Sequence, residues 1–379
     1  MKQGWEIKKL GEVCAFCSGY TPKENELSEC GAVPYFKVSD MNHCDNLKYL
    51  TYTSLFLEDR CKVYPKNTIV FPKNGAAIAT NKKRILAQDS VVDLNTGGVI
   101  ANDAVIYYEY LYLYFLSLDF RLHTRRGAVP TLDIAELKHK SIPIPPLPEQ
   151  EKIVAELDCL SGIIEKKKQQ LKELDALAES IFYTMFGDPI TNEKGWEVKT
   201  IKEVAPQQEY KGDVPCKNGK YWLLNLDMVA PNTGEIIEQC LFEYEDIGNS
   251  TIKFNSDNVL YSKLRPYLNK VVVPNDIGYA TSELVPLCPK KGVLNRVFFA
   301  SILRSSHFVK YISSKVAGAK MPRVAMGEFR EFCVILPPLP LQQEFADKIE
   351  AIEKQKELIK KSIEKTEILF NSRMDYYFN

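Results

Sequence analysis

An internal repeat is the feature that most constrains the fold of this chain. Residues 4–8 read GWEIK and residues 195–199 read GWEVK, a separation of 191 residues. Further along, PPLPEQ at 145–150 matches PPLPLQ at 337–342, a separation of 192. Two dipeptides repeat at 191, namely Glu12-Val13 with Glu203-Val204 and Gly127-Ala128 with Gly318-Ala319. Chance similarity would not keep one spacing across separated blocks, so the chain is a tandem duplication.

A heptad pattern follows each proline-rich block. Apolar residues recur at alternating steps of four and three, which is the 3.5-residue period of a coiled-coil seam. We therefore predict two helices of about 38 residues, each roughly 57 Å long at 1.5 Å per residue. The predicted seam consists of Ile153, Leu157, Leu160, Ile164, Leu171 and Leu174 in the first helix and Phe345, Ile349, Ile352, Ile359 and Ile363 in the second.

The two helices bury their seams most simply against each other. We predict a mixed α/β (α+β) fold in which two globular domains are separated by these helices, paired as an antiparallel coiled coil. Pairing across two chains is the alternative that the sequence leaves open. The predicted division is 1–144 and 188–336 for the globular domains, 145–187 for a central spacer helix and 337–379 for a C-terminal spacer helix.

The middles of the two copies are hardly alike in sequence, and both show short β-branched or apolar runs bounded by turn residues. Strands are predicted at 33–38, 68–71, 90–94, 221–226, 259–261, 270–273 and 283–287. Helical patterns fall at 108–122 and 294–313.

Charge is unevenly distributed along the chain. The formal net charge is zero, with 49 basic and 49 acidic residues, so the chain as a whole is not strongly basic. However, residues 60–88 and 284–327 contain no Asp or Glu and carry several Lys and Arg. A pair of basic stretches, one in each copy, favours a surface that faces a polyanion over an ordinary solvated surface.

Several classes of protein are excluded or disfavoured. No apolar run is long enough to span a membrane and residues 1–6 do not suit a signal peptide, so we expect a cytoplasmic location. Cys14 and Cys17 form a C-x-x-C, but the second pair that a structural zinc site needs is missing, so we predict no metal. Nucleotide-binding, zinc-protease, hydrolase and kinase motifs are also missing, and the four histidines are scattered singly, so we predict no catalytic residues.

Several motifs resemble a known family. They are residues 4–6 with 10–13, IPIPPLPEQE at 142–151, VILPPLP at 334–340, FPKNG at 71–75 and YSKLRPY at 261–267. Together they resemble the specificity subunits of type I restriction-modification systems over essentially the whole chain. Leu341 and Gln343 depart from the acidic residues Glu149 and Glu151 of the first copy, which affects the equivalence of the two helix starts.

The resemblance implies a non-catalytic, DNA-binding subunit. Each globular domain would be a target-recognition domain that reads one half of a split, asymmetric DNA site. The helices would set the spacing between the halves and dock two methyltransferase subunits, with a restriction/translocase subunit as a further candidate partner. No cofactor is expected in this chain, because S-adenosylmethionine would bind the methyltransferase subunits. The alternatives are a stand-alone restriction or modification enzyme and a coiled-coil scaffold.

The basic stretches, the strand-turn blocks and the Gly-Ala turns supply candidate DNA contacts, although an ordinary solvated charge is an equally good interpretation of any single one. Phosphate contacts would position each domain and contacts to base edges would specify the sequence. The candidates are Lys73, Asn74, Lys82, Lys83, Arg84, Arg125 and Arg126 in the first copy and Lys263, Arg265, Arg304, Lys315, Lys320 and Arg323 in the second.

Overall fold

The computed structural model describes residues 4–58, 62–125, 127, 129–317 and 321–378. Its contacts divide the chain into two compact units. The first unit comprises residues 1–167 and 362–379, and the second comprises residues 168–361.

The first unit is a mixed α/β domain. Its strands are β1 (Glu6–Lys9), β2 (Cys14–Ser18), β3 (Leu27–Ser28), β4 (Val33–Phe36), β5 (Tyr49–Leu50), β6 (Phe56–Leu57), β7 (Ile69–Pro72), β8 (Arg84–Leu86), β9 (Val91–Val92), β10 (Thr96–Ala101), β11 (Thr124–Arg125), β12 (Thr131–Leu132) and β13 (Ser141–Ile144). Its helices are α1 (Leu10–Val13), α2 (Tyr108–Ser117), α3 (Ile134–His139) and the beginning of α4 (Leu147–Phe186).

The largest sheet of the first unit has five strands in the order β2-β10-β7-β8-β5, and a second sheet has the order β3-β6-β4-β9. Strand β1 pairs with β13, and β11 pairs with β12 as a hairpin. Phe71 on β7 is fully buried against Phe115 of α2 and Phe120, with ring centroids 5.7 and 5.0 Å away. This aromatic cluster fixes α2 on the five-stranded sheet.

The second unit is also mixed α/β. Its strands are β14 (Glu197–Thr200), β15 (Lys220–Leu224), β16 (Leu241–Glu243), β17 (Thr251–Phe254), β18 (Val259–Ser262), β19 (Val271–Val272), β20 (Gly278–Thr281), β21 (Leu284–Leu287), β22 (Val316–Ala317), β23 (Arg323–Val324) and β24 (Cys333–Leu336). Its helices are α5 (Ile201–Val204), α6 (Arg296–Arg304), α7 (Ser306–Ser313), α8 (Met326–Glu331) and the beginning of α9 (Leu339–Phe378).

The two units share a structural frame that extends beyond the matching sequence. In the first, β1 pairs with β13 so that Glu6 lies opposite Ile144; in the second, β14 pairs with β24 so that Glu197 lies opposite Leu336. The strands β8-β7-β10 recur as β19-β18-β21 in the same antiparallel pairing. The strands β6-β4-β9 also recur as β16-β15-β20, with one antiparallel and one parallel pairing in each unit. These two sheets differ at their edges, where β3 lies beside β6 in the first unit and β17 lies beside β20 in the second.

A buried glutamine joins each long helix to its domain in the same way. Gln150 on α4 is fully buried, and its Oε1 accepts a hydrogen bond from the backbone N–H of Tyr107 (2.8 Å). Its Nε2 donates to the backbone oxygens of Val105 (3.0 Å) and Pro145 (2.8 Å). Gln342 on α9 repeats all three bonds, to Asn295 N (2.8 Å), Val293 O (3.1 Å) and Pro337 O (2.8 Å). The Gln that ends each proline-rich block is therefore structural.

The long helices α4 and α9 pack together in antiparallel fashion in both units, which confirms the predicted antiparallel coiled coil. In the first unit Glu156 of α4 pairs with Arg373 of α9, and Lys167 bonds Ser362 (2.5 Å). In the second unit Phe182 of α4 lies against Phe345 of α9, with ring centroids 5.7 Å apart. All eleven predicted seam residues are buried or partly buried.

Two helices differ from the apolar patterns that predict them: one ends early, and the other is divided into two helices. The pattern over 108–122 gives a helix that stops at Ser117. The pattern over 294–313 is broken at Ser305, whose backbone is extended and whose Oγ accepts a hydrogen bond from the N–H of Phe308 (3.2 Å). Ser305 thus ends α6 and caps the start of α7, a local choice that apolar periodicity does not reveal.

The paired glutamines generate a stability prediction. We expect Gln150→Leu and Gln342→Leu each to lower the free energy of unfolding, because leucine leaves a backbone N–H and two carbonyl oxygens without that partner, at a cost of about 1–3 kcal/mol per buried group left unsatisfied. Urea denaturation followed by circular dichroism measures the loss. The control is Gln169→Leu on the exposed face of α4, for which a change within about 0.5 kcal/mol is expected. If Gln150→Leu and Gln342→Leu lose no more stability than Gln169→Leu, the structural role of the two buried glutamines is contradicted.

Candidate nucleic-acid interface

In the first unit, the turn that follows β7 is held against the hairpin β11–β12. The backbone oxygen of Lys73 accepts a hydrogen bond from Leu132 N, and Gly75 N donates to Pro130 O, both at 2.8 Å. Between these bonds Asn74 forms a β-bridge with Thr131. The turn therefore brings the Lys73 and Asn74 side chains next to the hairpin that carries Arg125.

The second unit repeats this arrangement with the turn after β18 and the hairpin β22–β23. Lys263 O accepts from Val324 N and Arg265 N donates to Pro322 O, again at 2.8 Å in each case. Leu264 forms the bridge, here with Arg323. Lys73 and Lys263 thus occupy matching positions, as do Asn74 and Leu264, and Gly75 and Arg265. Sequence comparison does not identify these pairs beyond the shared lysine, because the flanking residues differ.

Both turns end in a residue with a positive φ, although only Arg265 is in the left-handed helical region. Gly75 has φ +76° and Arg265 has φ +50°. A short 3-10 turn follows each, and it ends at Asn81 in the first unit (φ +51°) and at Asn269 in the second (φ +50°). Nδ2 of Asn269 donates to the backbone oxygen of Arg304 at the end of α6 (2.9 Å), which anchors the turn to the core of its unit.

Each hairpin presents one arginine that is oriented by a carboxylate. Arg125 forms two hydrogen bonds with Asp133, both 2.9 Å, and Asp133 also caps α3 through the N–H groups of Ala135 and Glu136. The Arg125 guanidinium and the Glu136 N–H hold the pKa of Asp133 down to about 2. Arg323 donates to Glu283 at 2.8 Å in the second unit. Both arginines stay exposed, so their remaining donors face solvent.

The lysines of the two sites are in different environments. Lys73 is partly buried, and its ammonium donates to Ser18. Its pKa is lowered mainly by burial and to a smaller extent by the positive charge of the nearby Lys62. Lys263 is also partly buried. Lys315 is exposed and lies 3.5 Å from Glu328 on α8.

Three candidate contacts require a correction, because their charged groups donate to backbone oxygens of the chain. Lys83 is 1% exposed, and its Nζ donates to Asn81 Oδ1 and Leu118 O, both at 2.7 Å. Arg84 donates to three backbone oxygens, those of Asn46, Lys83 and Met41. Arg304 directs Nε and Nη2 to Val271 O, and burial lowers its pKa to about 10. We therefore omit Lys83, Arg84 and Arg304 from the proposed DNA-facing surface.

The other candidates are less constrained. Lys82 is partly buried and donates to the side-chain oxygen of Asn42. Arg126 and Lys320 lie outside the described residues.

Cys14 and Cys17, the C-x-x-C pair, have thiols in buried surroundings. Burial raises the pKa of both Cys14 and Cys17 to about 12, so their thiols stay protonated at neutral pH. Among the described residues, His43, Cys44 and Asp45 have ligand atoms within 4.8 Å of one another, on consecutive residues of a loop. The sequence-based prediction that the chain holds no metal stays a prediction.

Comparison with known proteins shows the family. A sequence model described as "Type I restriction modification DNA specificity domain" matches residues 2–176 and again 193–367. The chain therefore belongs to the family of type I restriction-modification DNA specificity domains and carries two copies. As a member it is a specificity component and not an enzyme. No helix among the described residues is both long and apolar enough to cross a membrane.

Relatives match over most of their length. The MjaIX and MjaVIII type I restriction enzyme specificity subunits of Methanocaldococcus jannaschii are each 23% identical to this chain, over 90% and 96% of it and over 85% and 90% of their own lengths. The crystal structure of a type I S subunit from M. genitalium covers 99% of this chain and 96% of its own, with 14% identity and a TM-score of 0.57. A chain from a structural study of complex assembly in the type I R-M system covers 100% and 98%, with 17% identity and a TM-score of 0.60. These two structures share the fold.

Lys83 generates a pH prediction. Burial lowers its pKa from 10.5 to about 8 in the folded chain, whereas the unfolded lysine keeps its ordinary value. Between pH 8 and 10.5 the unfolded state therefore binds one more proton than the folded state, so stability rises with pH across this window, by up to about 3 kcal/mol at 1.36 kcal/mol per pKa unit.

Urea denaturation at a series of pH values, compared between the wild type and Lys83→Met, isolates this contribution. We expect the variant to lose the rise attributable to Lys83, while the neighbouring Lys82→Met retains it. Parallel pH profiles for the wild type and Lys83→Met would show that Lys83 is not buried in the way the structure describes.

Proposed function

We propose that each of the two recognition domains reads one half of a bipartite, asymmetric DNA site. The observation that carries this proposal is the matched pair of surfaces described above. In each unit the same backbone hydrogen bonds join a lysine-bearing turn to an arginine-bearing hairpin, while the neighbouring side chains differ. A shared frame suits the shared task of binding the phosphate backbone, and different side chains suit different base sequences. The membership of both copies in a DNA specificity family supports the same conclusion.

The basic residues proposed to face DNA are those on these turns and hairpins. In the first unit they are Lys73 and Arg125, with Asn74 as a neutral neighbour. In the second they are Lys263, Arg265, Lys315 and Arg323. Arg126 and Lys320, which lie outside the described residues, remain predicted contacts. The formal net charge of zero does not oppose this role, because local charge rather than the total determines the attraction to a polyanion.

We propose further that the long helices dock two methyltransferase subunits. Within each unit, the segments of α4 and α9 expose large apolar side chains. Exposed apolar side chains of this kind mark interaction surfaces. Ile368 and Leu369 are 62% and 48% exposed in the first unit, and Leu358 and Leu177 are 63% and 47% exposed in the second. The methyltransferase subunits would bind S-adenosylmethionine, this chain would bind no cofactor, and a restriction/translocase subunit would be a further partner. Such a complex would act on DNA in the cytoplasm.

The experiment that tests this proposal is sequencing of methylated DNA positions in cells with and without the chain, co-expressed with its methyltransferase subunit. We expect a split motif that disappears without the chain, and a methyltransferase that copurifies with it. A continuous motif would contradict half-site reading, and separate purification would contradict docking. Methylation by the purified chain alone would instead favour the stand-alone enzyme.

The helix pair generates a separate prediction about spacing. Seven residues inserted after Lys168 in α4, together with seven after Lys361 in α9, keep the seam in register because a heptad is a whole seam repeat. The added rise is about 10 Å, which corresponds to roughly three base pairs at 3.4 Å each. We expect the gap between the half-sites to grow by that amount and both half-sites to stay the same, as measured by the methylation motif.

Insertions of three residues at the same two positions are the control. They shift the seam and are expected to reduce the stability of the chain rather than to set a new gap. A gap that is unchanged by the matched heptads, in a complex that still methylates DNA, would show that the helices do not determine the spacing.

A further inference from the structure

Arg265 occupies a strained position in the turn of the second unit. Its backbone is left-handed, with φ +50° and ψ +65°, a region that non-glycine residues adopt at a cost in free energy. The matching position in the first unit is Gly75, which adopts a positive φ without that cost. Strain of this kind persists only where the surrounding structure enforces it, and it concentrates at functional sites. Here the bond from Arg265 N to Pro322 O holds the residue in place against the hairpin.

The guanidinium of Arg265 is also unusual in having no partner. Among the arginines that the structure describes, it is the one whose side chain forms no hydrogen bond or ion pair within the chain. The others bind carboxylates, backbone oxygens or an amide: Arg84, Arg121, Arg125, Arg296, Arg304, Arg323, Arg330 and Arg373. Arg265 is exposed.

A free guanidinium on a rigid turn suits base recognition better than simple charge attraction. It presents donors in a planar fork, and this fork matches the O6 and N7 acceptors of guanine at the edge of the major groove. The hairpin fixes the backbone of Arg265, so binding costs side-chain freedom but little backbone freedom at this residue. The same fork also fits two phosphate oxygens, so a base contact and a phosphate contact are distinguished by whether the affinity depends on the base sequence.

We propose that Arg265 is a specificity-determining residue that reads one guanine in the half-site bound by the second domain. This inference rests on the proposed function and deepens it. Because Gly75 has no side chain at the matching position, the first domain lacks this contact. In the second domain this turn reads a guanine, whereas in the first domain other residues read the equivalent base. This difference contributes to the asymmetry of the DNA site.

The test compares methylation motifs and duplex affinities for complexes that contain the wild-type chain, Arg265→Gly or Arg265→Lys. Glycine is the residue of the first copy and relieves the strain, so Arg265→Gly is expected to fold at least as well as the wild type. Arg265→Lys keeps the charge and removes the fork. The control is Asn218→Gly, which relieves a left-handed residue (φ +53°) elsewhere in the second unit.

We expect the wild type to prefer G·C at one position by roughly 5- to 150-fold over the other pairs, as a bidentate contact provides. Arg265→Gly should reduce this preference to near onefold and Arg265→Lys should reduce it partly, with every other position unchanged. Asn218→Gly should retain the wild-type motif.

Three results would overturn the assignment of Arg265. The first is an unchanged methylation motif in Arg265→Gly. The second is a loss of DNA affinity that is equal for all sequences, with a salt dependence reduced by about one phosphate contact. The third is a loss of base preference at a position of the motif that is not a G·C pair. A wild-type complex without any split motif would instead refute the proposed function itself, so the two failures are distinguishable.

Discussion

The buried amides of Gln150 and Gln342 are the interactions on which the two units depend. Each amide uses its one acceptor and two donors on the backbone, and it joins the first turn of a long helix to the loop before α2 or α6. A buried backbone group without a partner is costly, so these bonds select one approach of the helix to its domain. Both units satisfy the same three groups, which explains why the proline-rich block ends in Gln twice.

Charged and polar groups at the helix pair add specificity to the apolar seam. In the first unit Arg373 of α9 and the Tyr377 hydroxyl both bind the carboxylate of Glu156 on α4. In the second unit Lys356 interrupts the seam, is 7% exposed at its side chain, and binds Asp175 (2.7 Å) and Glu353 (2.9 Å). Polar residues at seam positions fix the register of coiled coils. The sequence marks Lys356 only as a gap in the heptad pattern, and the structure shows its partners.

In the first unit, ion pairs and hydrogen bonds also join the recognition domain to α4, through residues that lie outside the sequence motifs. Lys48 bridges Glu109 on α2 (2.9 Å) and Asp158 on α4 (2.8 Å), while the hydroxyl of Tyr49 donates to Glu109 (2.6 Å). Burial raises the pKa of Tyr49, and its bond to Glu109 adds to that increase. Lys48 thus joins α2 to α4 within this unit through a carboxylate on each element.

The sequence by itself determined the duplication, the two long helices, the mixed α/β class and the family, because repeated blocks and heptad spacing are local patterns that survive without tertiary information. It did not determine the shared strands β8-β7-β10 and β19-β18-β21, because many sequences satisfy the same strand pairing. Nor did it separate basic residues that are available to bind DNA from those whose charge is bonded within the chain. Lys83 and Arg265 both lie in basic segments, yet Lys83 is enclosed by Asn81 and Leu118 while Arg265 stands free beside the hairpin. Only the tertiary structure decided this, because whether a charge finds a partner depends on residues distant in sequence.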